Sequence, residues 1–307
     1  MDSTIDSVEF ATVSDSQRPE ALAMLVSREP AAERAGRIAT IVTALRQSDV
    51  SAVTLVAARR GAKLLAVAWG QILPGKTALL WPARLAIDVH EAIGDRLQTR
   101  LDSQLAASGI SMAQGVLADH EHVDAKRLER VGYTHAADLL YLVSQLGPCE
   151  VPVAELDIDF VPYTPADRKR LSAIVERTYI NTLDVPALDG IRDMADVLDG
   201  YEQTGEFSPD RWFFIRNGGE DVGCLLLNDH PAQQQWELVY MGIVPEARGN
   251  GWGRQATRFA QRLAKAAGRE RLILAVDATN DPAVSAYTKT GFFEMLRRSV
   301  FLKIYAV

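Results

Sequence analysis

Alternating apolar and polar stretches divide the C-terminal half of the chain into short strands and amphipathic helices. Runs of aliphatic and aromatic residues predict strands, namely IDFVPYT, RWFFIRN, VGCLLLND, WELVYMGIV, LILAVD and SVFLKIY. Residues 254–267 carry Ala256, Phe259, Leu263 and Ala267 along one stripe, which predicts an amphipathic helix between the fourth and fifth of these strands. Further helices are expected over 165–179, 191–201 and 282–290.

The N-terminal half has the same order of elements. Its predicted strands are VEFATV, SAVTLVAARR, KLLAVAWGQIL, TALLWPARLAI, QGVLA and LLYLVSQL, and its clearest helices cover 19–28, 31–47 and 94–108. The letters repeat as well, since Gly132 in LERVGYTHAADLLYLV aligns with Gly291 in YTKTGFFEMLRRSVFLKI at an offset of 159 residues. We therefore expect two diverged copies of one α+β unit.

A segment with two prolines and little periodicity, LGPCEVPVAEL, separates the two copies and indicates a linker. The sequence therefore predicts one domain over 1–147, a linker over 148–156 and a second domain over 157–307.

Composition excludes several classes of function. A net charge of −7 provides no basic field for a nucleic acid, and no apolar run approaches the length of a membrane span. The acidic N-terminus lacks the apolar core of a signal peptide, so a cytoplasmic location is expected. Two distant cysteines and five scattered histidines show no metal-ligand spacing, so no metal site is expected.

The segment PEARGNGWGRQATRFAQRLAKAAG carries the most informative chemistry. The first N–H groups of a helix are unpaired and its dipole is positive there, so a strand, a glycine-rich turn and a helix together form a phosphate site. Glycines let the backbone approach a phosphate without a Cβ in the way. A diphosphate is expected to lie against the loop amides, with charge added by Arg248 and Arg254. The loop amides expected to contact the diphosphate are those of Gly249, Asn250, Gly251, Trp252, Gly253 and Arg254. An ordinary glycine-rich loop is the alternative.

Two known phosphate-loop patterns fit this segment poorly. A Walker loop needs GxxxxGK[ST], and the required lysine is missing. Gly251, Gly253 and Ala256 satisfy a relaxed dinucleotide pattern. However, Asp277, the acidic residue that ends the next strand, lies 26 residues beyond Gly251 instead of about 20.

The segment resembles the acetyl-CoA signature of the GNAT superfamily of acyl-CoA-dependent N-acyltransferases. Its (Q/R)xxGx(G/A) pattern is met by Arg248, Gly251 and Gly253. The downstream NxxAxxxYxxxGF pattern is met by Asn280, Ala283, Tyr287, Gly291 and Phe292. The resemblance covers the second copy well and the first in outline. It implies an α+β fold of two tandem GNAT-like domains, each a mixed, mostly antiparallel twisted sheet flanked by helices, similar in layout to the mycothiol synthases of the superfamily.

The family fold also implies how acetyl-CoA is held. The strand that ends at Ile243 is expected to bulge and to splay from its parallel neighbour, LILAVD. The resemblance implies that main-chain groups of Met241, Gly242 and Ile243 pair with the pantetheine arm like an added strand. It also implies that Asn280 contacts this arm, although a helix N-cap before Pro282 explains this residue equally well.

Acetyl transfer to an amine needs a base for the amine and an acid for the departing thiolate. Glu237 is the candidate base, because a lone carboxylate that alternates with Val239 and Met241 in so apolar a strand would have a raised pKa. A strand-end glutamate facing water is the alternative. The resemblance adds that a tandem-domain relative has its general base at this distance, eight residues before the motif proline. Tyr287 occupies the family's tyrosine position and is the candidate acid, with core packing as the alternative. Tyr240 is a fallback that alternation turns away from Glu237.

The acceptor pocket and the first copy are less clearly specified. The segment after the first strand usually shapes the acceptor pocket in this fold, so Tyr179 and Asp184 are candidate substrate-binding residues, although a solvated face explains them too. In the first copy, VHEAIG stands in place of RGNGWG, Glu91 and Asp95 add negative charge, and Leu128 replaces the motif tyrosine. We therefore expect a degenerate, non-catalytic N-terminal domain, with a weak CoA site as the alternative.

The sequence thus predicts an acetyltransferase that moves an acetyl group from its co-substrate acetyl-CoA to a primary amine of a small molecule. Attack is expected to be direct, with Glu237 as general base and Tyr287 as general acid. A protein N-terminal or lysine acetyltransferase and a non-enzymatic acyl-CoA-binding sensor are the alternatives. No nucleic-acid or membrane partner is expected, and an intramolecular pseudo-dimer would leave the protein monomeric.

Overall fold

The computed structural model of the chain describes residues 7–47, 53–73, 75–118, 122–147, 157–188 and 193–305. The chain divides into two compact units. One comprises Met1–His135 and Ser299–Val307, and the other comprises Ala136–Arg298. We call them the N-terminal unit and the C-terminal unit. None of the helices in the described ranges is long and apolar enough to cross a bilayer.

The elements follow the order that the hydrophobic pattern predicts. The strands are Glu9–Thr12 (β1), Val53–Arg60 (β2), Lys63–Leu73 (β3), Thr77–Leu85 (β4), Met112–Ala118 (β5), Thr134–Gln145 (β6), Asp159–Pro162 (β7), Trp212–Asn217 (β8), Glu220–His230 (β9), Gln235–Ile243 (β10), Arg271–Asp277 (β11) and Phe293–Ile304 (β12). The helices are Arg18–Leu25 (α1), Ala31–Gln47 (α2), Glu91–Ala106 (α3), His122–Arg130 (α4), Arg168–Tyr179 (α5), Met194–Glu202 (α6), Trp252–Ala266 (α7) and Asp281–Thr288 (α8). The predicted α+β class is confirmed.

Each unit has a mixed sheet. Its strand order is β1-β2-β3-β4-β5-β12 in the N-terminal unit and β6-β11-β10-β9-β8-β7 in the C-terminal unit. The first four strands of the N-terminal unit pair antiparallel, and β4 and β5 are parallel. In the C-terminal unit, β10 and β11 are parallel and the other pairs are antiparallel.

Each unit contains one strand, or part of one, from the other half of the sequence. The C-terminal unit contains most of β6, and the N-terminal unit contains the end of β12. β6 pairs with the whole length of β11 and contributes Leu140 and Leu142 to the core of the C-terminal unit. The end of β12 belongs to the N-terminal unit, where Nζ of Lys303 donates to the carboxylate of Asp102 at 2.6 Å.

The predicted domains follow chain order, so their ranges, 1–147 and 157–307, differ from the two compact units at these exchanged strands. The predicted linker, 148–156, lies outside the described residues.

Helix α7 approaches the sheet of the C-terminal unit through small residues. Ala256, Ala260 and Ala264, spaced four apart, are fully buried, whereas Phe259 and Leu263 are only partly buried and pack beside them. The predicted stripe is therefore wrong in detail. Alanines on the inner face let the helix backbone come close to the strands, and the larger side chains fill the flanks.

Candidate active site

Strands β10 and β11 run side by side at first and then part. Their pairing ends at Glu237, although both strands continue for several residues. On its other side, β10 stays paired with β9 as far as Ile243, with a bulge at Val239. A bulge bends a strand and increases its twist, and the two strands separate from this point. The bulge and the splay that the family resemblance implied are therefore both present.

A cavity of about 670 Å³, which we call the first cavity, occupies this gap. It is bordered by the end of β10, the loop before α7 and the helix α8. Asn250 is not among its lining residues, and its side-chain amide donates to the carbonyl of Ala247 at 3.0 Å. The predicted site residues that line this cavity are Asp184, Met241, Gly242, Ile243, Arg248, Gly249, Gly251, Trp252, Gly253, Arg254, Asn280 and Tyr287.

The loop before α7, which borders the first cavity, has several N–H groups without a main-chain partner among the described residues. Among the main-chain hydrogen bonds of the described residues, none is donated by the N–H groups of residues 249–253, whereas those of Arg254 and Gln255 donate to the carbonyl of Gly251. Gly249 and Gly251 have φ angles of +87° and +77°, which glycine adopts without strain. Because the positive end of the α7 dipole lies here as well, the loop suits an anion such as a diphosphate.

The two arginines of the loop have different surroundings. Arg254 is exposed, lines the first cavity and forms no ion pair with any described residue. Arg248 instead donates to main-chain carbonyls and thereby fastens the end of α5 and the chain after it to β10. The carbonyls, at 2.9–3.0 Å, are those of Thr178, Ile180, Asn181 and Ile243.

Asn280 caps α8 and also lines the first cavity. Its Oδ1 accepts a hydrogen bond from the N–H of Ala283 at 3.3 Å. An asparagine side chain has donors as well as an acceptor, so the cap leaves Nδ2 for a second partner. The two interpretations of this residue from sequence are compatible.

Glu237 lies where β10 and β11 begin to part, and it has a histidine partner. Its Oε2 is 2.8 Å from Nε2 of His230 at the end of β9, and this hydrogen bond raises the pKa of the imidazole. The expectation of a lone carboxylate is therefore wrong. The Glu237 side chain is 23% exposed and lines neither of the two cavities described here. Sequence reasoning missed His230, because its approach to Glu237 depends on the register of the β9–β10 hairpin, in which His230 pairs with Gln235.

The bulge reverses the alternation of side chains along β10. Trp236 and Leu238 pack in the core beneath α7, so Glu237 between them points to the opposite face. Met241 packs with Leu238, whereas Tyr240 packs in the core on the other face. Tyr240 therefore shares the face of Glu237, contrary to the prediction from simple alternation.

Tyr287 lines the first cavity from α8 and is 5% exposed. Its ring packs against Phe292, with the centroids 5.7 Å apart. Burial, and after it the charge of Asp184, raise the pKa of the Tyr287 phenol above its usual value. The phenol therefore stays protonated at neutral pH, which is the state that a general acid needs.

A second cavity, of about 540 Å³, also lies in the C-terminal unit. The predicted acceptor residues Tyr179 and Asp184 line it, together with Tyr201 and Glu176, which sequence reasoning missed because no motif marks them. The residues that line both cavities are Asn181, Thr182, Asp184, Val239 and Tyr240.

Asp184 is fastened to the end of β11. Its Oδ1 accepts from the N–H of Asp277 at 3.1 Å, and the N–H of Val185 donates to the Asp277 carboxylate at 3.2 Å. Although much of the residue is exposed, its carboxyl is set against the cavity wall, and this desolvation raises the pKa of the Asp184 carboxyl. The nearby Asp277 carboxylate also raises this pKa, whereas the hydrogen bond from its N–H lowers it.

Residues 179–292 match the model of the acetyltransferase (GNAT) family. The mycothiol acetyltransferase of Streptomyces bingchenggensis (strain BCW-1) is 36% identical over 104 residues, which are 33% of this chain and 32% of that protein. The mycothiol acetyltransferase of Saccharomonospora viridis is 27% identical over 184 residues, 56% of this chain and 58% of that protein. The matched part thus spans from about a third to somewhat more than half of the length of these curated relatives.

Solved structures resemble the chain over nearly its whole length. A GCN5-related N-acetyltransferase from Sphaerobacter thermophilus has a TM-score of 0.67 at 16% identity, and the match covers 97% of this chain and 96% of that one. A tandem GNAT protein from the clavulanic acid biosynthesis pathway has a TM-score of 0.53 at 12% identity, covering 98% and 99%. At these identities the likeness shows the fold, which agrees with the predicted tandem arrangement.

Proposed function

Because residues 179–292 match the model of the acetyltransferase (GNAT) family, we propose that the protein moves an acetyl group from acetyl-CoA to a primary amine of a small molecule. The observation that carries the proposal is the gap between β10 and β11 together with the loop beside it, where the N–H groups of residues 249–253 donate no main-chain hydrogen bond to any described residue. In this proposal the diphosphate lies on these amides with Arg254 beside it. The pantetheine arm pairs with Met241–Ile243 on the side of β10 that β11 has left.

The reaction is a direct attack of the amine on the thioester. The amine nitrogen bonds to the carbonyl carbon and the carbon–sulfur bond breaks. Glu237, through a water, takes the first proton from the ammonium, and Tyr287 gives a proton to the departing thiolate. The nitrogen loses its second proton as the tetrahedral intermediate collapses, and this proton restores the Tyr287 phenol. The N–H groups at Met241–Ile243 stabilise the oxyanion. A covalent route through Cys224 is disfavoured, because this thiol is fully buried and burial raises its pKa to about 12.

Asp184 is a second candidate for the base, and a specific observation favours it. Its carboxyl lines both cavities, whereas Glu237 lines neither. Glu237 lies at the start of the splay and has His230 as a hydrogen-bond partner that fixes its side chain, so we assign the base to Glu237. Asp184 then contacts the acceptor, as does Tyr179.

The gap of the N-terminal unit is filled by its own side chains. Here too the parallel pairing of β4 with β5 ends early, at Leu80. Beyond it, the N–H of Ala83 donates to Oε1 of Gln98 at 2.9 Å, and its carbonyl accepts from Nη1 of Arg127 at 2.7 Å. Ala83 corresponds to Gly242 at the 159-residue offset, so these side chains take the main-chain groups that a pantetheine arm would need.

A buried charge network holds Arg127 in this gap. Asp124 is fully buried and pairs with Arg127 at 3.1 Å and with Arg84, while Glu91 pairs with Arg127 at 2.6 Å. Arg127 also packs so closely against Gly94, in the first turn of α3, that a Cβ there would lie 2.8 Å from its Nε. These contacts support a non-catalytic N-terminal unit without an acyl-CoA site. Calorimetry with CoA is expected to give one site per chain, and two sites would refute this assignment.

Thiol release from acetyl-CoA with a library of primary amines tests the proposed function. Glu237→Gln is expected to lower kcat by about 10²–10⁴-fold while CoA still binds, since only proton transfer is lost. The matched control is Glu220→Gln at the start of β9, outside both cavities. If Asp184→Asn loses turnover and Glu237→Gln keeps it, Asp184 is the base.

The library results also separate the alternative functions. CoA binding without turnover of any amine or peptide would refute the enzyme and favour the sensor. Turnover of peptide amines alone would favour a protein acetyltransferase.

A further inference from the structure

The two cavities carry opposite charge. Arg254 and Lys289 line the first cavity only, and Asp184 has the one carboxylate among the described residues around this cavity. The second cavity is lined by the carboxylates of Glu176 and Asp184, and no lysine, arginine or histidine is among the described residues around it. The first cavity therefore suits an anionic nucleotide, and the second suits a cation.

The two carboxylates occupy different parts of the second cavity. Asp184 belongs to the wall that this cavity shares with the first, where the thioester would meet an acceptor. Glu176, on α5, lines the second cavity alone, is exposed, and forms no ion pair with any described residue. One carboxylate therefore lies at the part of the second cavity where the thioester would meet the acceptor, and the other lies in a part that is not shared with the first cavity.

Tyrosine rings form the wall around these charges. The hydroxyls of Tyr179 and Tyr201 bond to each other at 2.8 Å, and that of Tyr240 bonds to Oγ1 of Thr178 at 2.7 Å. Tyr201 and Tyr240 stack with centroids 5.2 Å apart, and Tyr179 meets Tyr240 edge to face at 5.7 Å. With their hydroxyls bonded among protein groups, the rings offer π surface, which attracts cations and apolar carbon chains.

We propose that the acceptor is a doubly cationic amine on a largely apolar carbon chain. This inference rests on the proposed function, because it names the substrate class of the same site. One ammonium lies at Asp184 beside the thioester and loses its proton before attack. The second stays charged at Glu176 against the tyrosine wall. An acceptor with a carboxylate in place of the second ammonium is repelled, because no positive side chain faces it within the described lining.

Three amines of equal chain length test the charge requirement, namely putrescine, butylamine and γ-aminobutyrate. Charge-assisted contacts in a partly desolvated pocket are expected to give putrescine a kcat/KM about 10–100-fold above that of butylamine. γ-Aminobutyrate is expected to fall below butylamine. Turnover of butylamine at the rate of putrescine, or of γ-aminobutyrate at the rate of butylamine, overturns the inference and leaves the proposed function standing. Absence of thiol release with every amine refutes both.

Glu176→Gln tests the assigned residue. Its kcat/KM for putrescine is expected to fall towards the value for butylamine, whereas Glu220→Gln keeps the wild-type preference. Because Glu176 is exposed, the variant is expected to fold, and thermal unfolding checks this. Putrescine binding to the CoA-saturated protein, measured by calorimetry, gives a readout that does not depend on turnover. An unchanged preference and unchanged putrescine affinity in Glu176→Gln would overturn the assignment.

Discussion

Replacing Gly251 with alanine tests whether the loop conformation before α7 is what binds acetyl-CoA. Gly251 has a φ of +77°, and an L-residue in this left-handed region costs about 1–2 kcal/mol more than glycine. Crowding adds little, since the nearest atom to a Cβ there is the mobile Nη2 of Arg254 at 3.4 Å. The free loop can relax by turning a peptide, and CoA binding must then restore the strained form. At 1.4 kcal/mol per tenfold, the Kd for CoA is expected to rise about 5–30-fold.

Isothermal titration of CoA measures the effect, and two glycines give matched controls. Gly268, after the end of α7, has a φ of +74° and open space around it, so Gly268→Ala carries a similar conformational cost away from the first cavity. Gly253 is helical, and a Cβ there meets its nearest atom at 3.8 Å, so Gly253→Ala is expected to bind CoA nearly as wild type does. Equal CoA affinity in Gly251→Ala and Gly268→Ala would refute the role of this loop.

Three further outcomes follow from the contacts described above. The raised pKa of His230 means that its ion pair with Glu237 adds stability below about pH 6.5, which is lost as pH rises through the folded-state pKa. Thermal unfolding from pH 5 to 9 should show this loss in wild type and not in His230→Gln. Arg254→Met is expected to weaken CoA binding about tenfold, because it removes a positive charge from the first cavity. Arg248→Met removes the hydrogen bonds to the carbonyls at and after the end of α5, so it should mainly raise the acceptor KM in steady-state kinetics. Asp124→Asn leaves two buried guanidiniums without their shared carboxylate and should cost about 3–5 kcal/mol in denaturant unfolding, with kcat/KM unchanged for folded protein.

Features set by short-range chemistry could be predicted from the sequence. The helix after the glycine loop and the α8 cap at Asn280 depend on neighbouring residues, and both are present. The splay after Glu237 was inferred through the family motif, because its cause, a bulge at Val239, has no signature in a strand of apolar residues. A bulge shifts every later side chain to the other face, which is why alternation failed at Tyr240.

Features that depend on distant pairing could not be predicted. Arg248 matches the motif position, yet its guanidinium donates to the nearby carbonyl of Ile243 and to three carbonyls of a segment remote in sequence, those of Thr178, Ile180 and Asn181. His230 reaches Glu237 only through the register of the β9–β10 hairpin. The side chains that fill the gap between β4 and β5 in the N-terminal unit depend on Gln98, Asp124 and Arg127 together, and no spacing rule links these three residues.

The exchange of final strands limits how this protein can be divided. A fragment that starts after β6 would leave β11 as a bare sheet edge along its whole length, and it would carry the end of β12 without the core in which that end belongs. The complementary fragment would have the converse defect. Neither half of the sequence thus contains all the strands of one unit. If the chain were cut between the two halves, each fragment could complete its sheet only by binding the other fragment.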